Sequence, residues 1–231
     1  MKNLTKFTFV LAAILFSAKT FAQVSVGVTL RANIAPPAVP VYAQPPCPDS
    51  DYLWEPGYWN WDPNARDYYW VPGVWVKPPS PGMLWTPPYW DFVNNVYTFH
   101  TGYWGPHVGY YGGINYGGGY LGVGFCGGAW SGGHFRYNTA VWNVDRRVVK
   151  NVYADRTVIV NHSIANNRIS YHGPQPEEMQ ASREKHVEVT KEQQSHFQAA
   201  RNDHQQFRSV NHGTPNRPAI GRVGEGSRGR H

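Results

Sequence analysis

The chain has 231 residues, a formal charge of +6 and a pI near 9.3, but the charge sits at its two ends. Lys2, Lys6 and Lys19 carry +3 in the first 22 residues, and Arg217, Arg222, Arg228 and Arg230 against Glu225 carry another +3 in the last 21. The middle is near neutral, which excludes the dense cationic face that a nucleic-acid binder needs.

Residues 1–22 read as a secretory signal peptide: Lys2 and Lys6, an apolar core over 7–16, then a short exit with Thr20 and Ala22 at −3 and −1. Cleavage is expected after Ala22, leaving Gln23 first, so the chain is expected to be exported to the periplasm, the cell envelope or the medium. The apolar core is well short of the ~20 residues that span a bilayer, and no later segment is long and apolar enough to cross as a helix. Residues 23–51 hold a short alternating strand pattern over 24–30, then a linker rich in proline, which favours extended backbone and denies ladder hydrogen bonds. Cys47 lies in that linker and Cys126 in a later glycine run. Export permits a disulfide between them; the alternative is two buried thiols. Two cysteines without a close histidine make no zinc site.

Residues 52–104 contain an internal repeat. Octads at 52–59 and 68–75 each carry two tryptophans around Pro-Gly: Trp54, Pro56, Gly57, Trp59, and Trp70, Pro72, Gly73, Trp75. A third copy keeps Trp85 and Trp90 but has Pro88 where glycine belongs; a fourth has Phe99, Gly102 and Trp104. Two geometries satisfy the pattern. Pro-Gly forms a tight turn, so that Trp54 faces Trp59 and the other copies pair likewise. Or Pro-Gly is a bulge within one longer strand, with the hairpin at 62–65. Type II turns fit hairpin twist poorly, and the two stay open. Both give an antiparallel meander with an aromatic ladder, and turns are expected at 62–67, 77–82 and 93–96.

These octads resemble the YXWGXW (WXXGXW) repeat family of exported bacterial proteins, and the stretch 102–113 is similar to the segment that follows the repeats in many members. The resemblance covers roughly residues 45–172. It implies export and a Gram-negative-type envelope setting, and no particular activity.

Residues 105–172 continue as a Gly/aromatic-rich and β segment. Positions 92–135 hold no Asp, Glu, Lys or Arg, but 14 Gly and 12 aromatics, which reads either as close packing of rings over bare backbone or as a sticky, semi-ordered surface. Strands are expected over 135–142, 148–153 and 157–160, with Asn143, Asn151, Asn161 and Asn167 ending them. From 173 to about 210 the composition is helix-forming. Thr190 and Gln193 fit a capping box, and Phe197, Ala200, His204 and Phe207 make one thin apolar stripe, as of an arm lying on a partner or projecting into solvent. Residues 211–231 read as a disordered basic tail.

Chemistry motifs are missing. The two GxGxxG strings at 117–127 open no helix, and GxxxxGK[ST], HExxH and GxSxG do not occur. Carboxylates over 52–135 are few (Glu55, Asp62, Asp67, Asp91), and Asp62 and Asp67 are better read as turn residues than as a glycosidase pair. Histidines at 186, 196 and 204 lack the spacing that chelates from one helix face, and those at 100, 107, 134, 162 and 172 are scattered. Neither metal nor cofactor nor enzymatic activity is expected. The sequence therefore reads as a mostly-β exported protein with a C-terminal helical arm and disordered termini. Its expected role is structural or protein-interaction, with an envelope protein as partner. The alternative is a carbohydrate-binding module for peptidoglycan or a surface glycan, using exposed rings.

Overall fold

The computed structural model describes residues 30–157 and 173–224. The export segment and its cleavage point, the run 24–29, the strand expected over 157–160 except Thr157 (which is not in a strand), Asn161, His162, Asn167, His172 and residues 225–231 lie outside the described residues.

The structure is mostly strands in antiparallel sheets, with helices near the C-terminal end. After a short strand, β1 (Arg31–Ala32), the repeats build two long hairpins. In the first, β2 (Leu53–Glu55) and β3 (Tyr58–Asp62) form one arm, β4 (Asp67–Val71) and β5 (Gly73–Val76) the other. The loop closes because Asp62 Oδ1 accepts from the amides of Asn64 and Ala65, and Arg66 takes a left-handed conformation. Register is the same on both sides of the Pro-Gly break: Trp59 faces Trp70 in the outer part and Trp54 faces Trp75 in the inner part. Pro56 thus falls opposite Gly73, and Gly57 opposite Pro72. The longer-strand geometry is the one adopted, without a register shift. Pro56, Gly57, Pro72 and Gly73 are not turn residues, and no indole pairs within its own octad.

The second hairpin repeats the plan. β6 (Leu84–Thr86) and β7 (Tyr89–Val93) pair with β9 (Tyr103–Gly105) and β8 (Val96–His100), again in one register, around a two-residue turn of left-handed Asn94 and Asn95. Here Trp85 faces Trp104 and Trp90 faces Phe99. Gly102 likewise lies in the break of an arm and not in a turn.

The proline-rich segment is a strap, not a linker. Its backbone makes no ladder, so its carbonyls are free to accept. Ile34 O takes the Tyr68 hydroxyl at 2.7 Å, Ala38 O the Trp59 indole at 3.1 Å, and Pro45 O the Trp75 indole at 2.9 Å. The segment from 211 to 224 is ordered too. A short helix and β15 (Ala219–Arg222) follow the arm, and β15 pairs in parallel with β5, giving the order β15-β5-β2. The reason is that β5 is buried and its outer edge needs a partner. Pro218 O receives both the Trp70 indole and the Gly73 amide, at 3.0 Å each.

Of its two readings, the uncharged stretch adopts close packing. It contributes β10 (Asn115–Gly117), β11 (Tyr120–Leu121), β12 (Gly128–Ser131) and β13 (His134–Asn138). Tyr111, Tyr116 and Tyr120 are buried, with hydroxyls donating to Gly124 O, Pro88 O and Trp85 O. The strand expected over 135–142 stops at Asn138, whose Oδ1 accepts from Ala140 and Asp155 amides, and the one expected over 148–153 shortens to β14 (Val152–Tyr153), parallel to β13.

Two helices follow: α1 (Pro176–Ala181) and α2 (Lys191–Asn202), and a 3-10 turn (His204–Gln206) leads into α3 (Arg208–Asn211). The Thr190–Gln193 capping box forms as the sequence indicates. The arm does not project. Gln193, His196 and Ala200 are buried against the chain's own first hairpin. Two of those three are polar, so the stripe looked thin in sequence although its contacts are specific: His196 Nε2 meets Pro72 O at 2.7 Å, and Arg201 forks onto Asp62 at 2.9 and 3.1 Å.

Candidate functional site

Two places carry the chain's concentrated aromatic chemistry: the repeat ladder and a cleft beside it. In the ladder, Trp54, Trp59, Trp70, Trp75, Trp85 and Trp104 are all at most 2% exposed, while Trp90 and Phe99 are half-buried at the outer end. Opposed rings stand edge-on or tilted at 5.0–5.3 Å between centroids, contacts worth ~0.5–1.5 kcal/mol beyond burial. The indole N–H groups of Trp90 and Trp104 also end on protein, at Trp59 O and Gln193 Oε1, both 2.8 Å away.

The glycines explain the spacing. A Cβ on Gly57 would collide with Trp70 Cζ2, and one on Gly73 would lie 2.5 Å from Trp54 Cζ2. Each copy's first indole therefore covers the other copy's glycine. Neither glycine has positive φ, so what they supply is room. In the second hairpin Trp85 covers Gly102 in the same way, at 2.5 Å. The reciprocal pair there is Phe99 and Pro88: where the glycine is absent, so is the indole that would cover it. The proline breaks leave the Gly57 and Gly73 amides without ladder partners, and Tyr42 Oη (2.7 Å) and Pro218 O (3.0 Å) accept them.

The cleft, about 370 Å³, lies between the second hairpin, α1 and the segment before it. Its walls are two stacked pairs. Tyr89 and His100, opposite each other on β7 and β8, lie parallel at 4.4 Å; Tyr103 on β9 and His186 lie at 3.7 Å. Tyr110 meets Tyr89 edge-on at 5.4 Å. Thr86, Thr101 and Ser182 add hydroxyls, and Glu178, a residue 7% exposed, adds a carboxyl held by the Gln175 amide at 2.9 Å. Burial lifts the Glu178 carboxyl above its ordinary range, against the lowering effect of that amide.

Against known proteins, the match is confined to the first hairpin. Residues 50–76 match the WXXGXW repeat, in two copies. The chain carries the WXXGXW repeat. No curated protein and no solved structure matches it.

In this WXXGXW pair the variable position before Pro56 is a buried carboxyl. Glu55 is fully enclosed; Gln193 Nε2 donates to its Oε2 at 2.8 Å, and its Oε1 has no partner. Burial pushes its pKa up to about 8, only partly opposed by Gln193. Gln193 also accepts the Trp104 indole, so one side chain ties the two hairpins together. The candidate disulfide is not formed. Cys47 and Cys126 are free thiols, each donating to a backbone oxygen of its own neighbourhood, Asp49 O at 3.1 Å and Gly119 O at 3.4 Å. Desolvation pushes them up to about 12 and about 11. Among the described residues no group of three or more His, Cys, Asp or Glu side chains could hold a metal ion, and no helix is long and apolar enough to cross a membrane.

Sequence reading missed the cleft. The signal available was the Asn94-Asn95 turn: closing Val93 on Val96 sets His100 opposite Tyr89. Nothing local could have placed Glu178 and His186 beside them.

Proposed function

We propose that the protein is an exported, non-enzymatic component of the cell envelope whose work is structural or protein-interaction, on a scaffold of interlocked WXXGXW hairpins. The observation that carries this reading is the burial of the six inner repeat indoles. Rings spent on cohesion are not an exposed platform, so the repeat makes a rigid body rather than a row of stacking surfaces. The strap and the returning strand support it: both ends of the described chain are fastened to the ladder through indole and amide donors. A scaffold fixed at so many points suits a component that must persist outside the cytoplasm.

Cell fractionation with N-terminal sequencing tests the location. The chain should be recovered outside the cytoplasm beginning at Gln23; a full-length cytoplasmic product refutes it. Cross-linking in intact cells tests the role. The chain should shift into a discrete complex with envelope protein, and a chain that stays monomeric in its native compartment refutes it.

A further inference from the structure

The cleft on the second hairpin does not belong to the ladder, and its chemistry narrows what it could hold. At about 370 Å³ it has the size of a small-molecule site, with room for a disaccharide. Among the described residues its lining contains no lysine or arginine and does contain Glu178, which disfavours an anion. A cation fares no better. One face of Tyr89 is covered by His100 and one of Tyr103 by His186, which leaves too few open aromatic faces for a full cage. A purely apolar guest would strand the hydroxyls and imidazoles of the walls. What remains is a neutral ligand with many hydroxyls and some C–H surface.

The groups are also held in place before any ligand arrives. His186 lies on Tyr103 and its Nε2 donates to Ala181 O at 3.0 Å, which fixes the tautomer and leaves Nδ1 as an acceptor. His100 is set by its parallel stack on Tyr89 and lies 3.9 Å from Asp91. Both imidazoles are exposed despite these stacks, so they offer ring surface at the rim. Ser182 donates its proton to Met179 O at 2.8 Å and keeps oxygen lone pairs for a donor. Glu178 sits at the base, restrained by the Gln175 amide.

We propose that this cleft is a saccharide-binding site for a neutral disaccharide or the end of a neutral oligosaccharide. The sugar's hydroxyls bond to Ser182, His186 and Glu178, and its C–H face lies on the imidazoles at the rim. The ligand class goes beyond the structural role and uses none of the buried repeat indoles. Selectivity rests chiefly on Glu178, the one buried group among the three, which a guest without hydroxyls would leave short of a partner.

Calorimetric titration of the purified chain with maltose, cellobiose and N,N′-diacetylchitobiose tests this, with choline and sulfate as charged controls. At least one disaccharide should bind with one-to-one stoichiometry, and the controls should give no heat. Ser182→Tyr fills the cleft from an exposed position, and His100→Ala removes an exposed ring; each should weaken that binding about tenfold or more, with the melting temperature unchanged. Absence of heat with all three sugars overturns the proposal. So does sugar binding that both variants leave intact, or binding of choline or sulfate in preference. The readout uses purified protein, so it stands or falls apart from the fractionation and cross-linking results.

Discussion

Replacing Glu55 with glutamine should make the protein more stable at neutral pH and remove a slope from its stability curve. In the folded chain the Glu55 carboxyl is enclosed and keeps its proton up to about pH 8; an unfolded glutamate gives it up near 4.5. Between those values the folded state binds more protons than the unfolded one, so stability falls as pH rises. The contribution is fully present below 4.5 and is lost as pH climbs through 8. Each pH unit in that window removes about 1.4 kcal/mol. By pH 7 the loss is about 3 kcal/mol, a large part of the ~5–15 kcal/mol that holds a typical domain. The introduced glutamine can still accept from Gln193 Nε2, replacing the bond that Glu55 now makes at 2.8 Å. Its amide protons face the site of the partnerless Oε1, a pH-independent cost of ~1–3 kcal/mol that shifts the variant's curve without tilting it. The assay is urea denaturation of both proteins at several values between pH 5 and 8. Subtracting the curves cancels every titration they share, histidines included, and the difference should slope by about 1.4 kcal/mol per unit. Parallel curves would refute the reasoning, because they would mean that Glu55 ionises without penalty.

The glycine–indole interlock predicts that Gly57→Ala destabilises by roughly 1–3 kcal/mol through overpacking against Trp70; Trp70→Phe in the same chain should recover part of that loss in a double-mutant cycle, as the Phe99/Pro88 pair suggests, and strict additivity would count against the interlock. His196 is buried and its pKa is lowered by desolvation, despite the raising effect of its bond to Pro72 O. It should therefore stabilise above about pH 6.5 and lose that contribution as pH falls through the lower folded value, and His196→Gln should remove this acid limb from denaturation midpoints. Truncation after Arg217 deletes β15 and leaves the Trp70 indole and the Gly73 amide without Pro218 O, a loss of ~1–3 kcal/mol for each donor; an unchanged melting temperature would show the strand is not structural. Because both thiols are free and held above their ordinary range, a reductant should leave the melting temperature where it is, and Cys47 should react with maleimide only on unfolding.

Much of this protein is written locally. The aromatic octads, the Asp62 turn, the Asn94-Asn95 turn and the Thr190–Gln193 cap are short-range patterns. Backbone sterics and near-neighbour hydrogen bonds are enough to turn them into strands, hairpins and a helix start. The absence of charge from 92 to 135 allowed close packing or a sticky surface, and the buried tyrosines decided for packing. What sequence left open was which indole meets which, and register across the proline breaks decided that by pairing copies instead of the two rings of one copy. Tertiary contact alone decided the rest. Proline-strap carbonyls become acceptors only when indoles arrive beneath them. A Gly/Pro/Arg-rich tail becomes a strand only because buried β5 has an edge to complete, and the helical arm docks through Gln193 and His196, whose polarity hides them from any hydrophobic count. The cleft joins β-hairpin rings to a carboxyl and an imidazole more than seventy positions away along the chain, a nearness that no local pattern encodes.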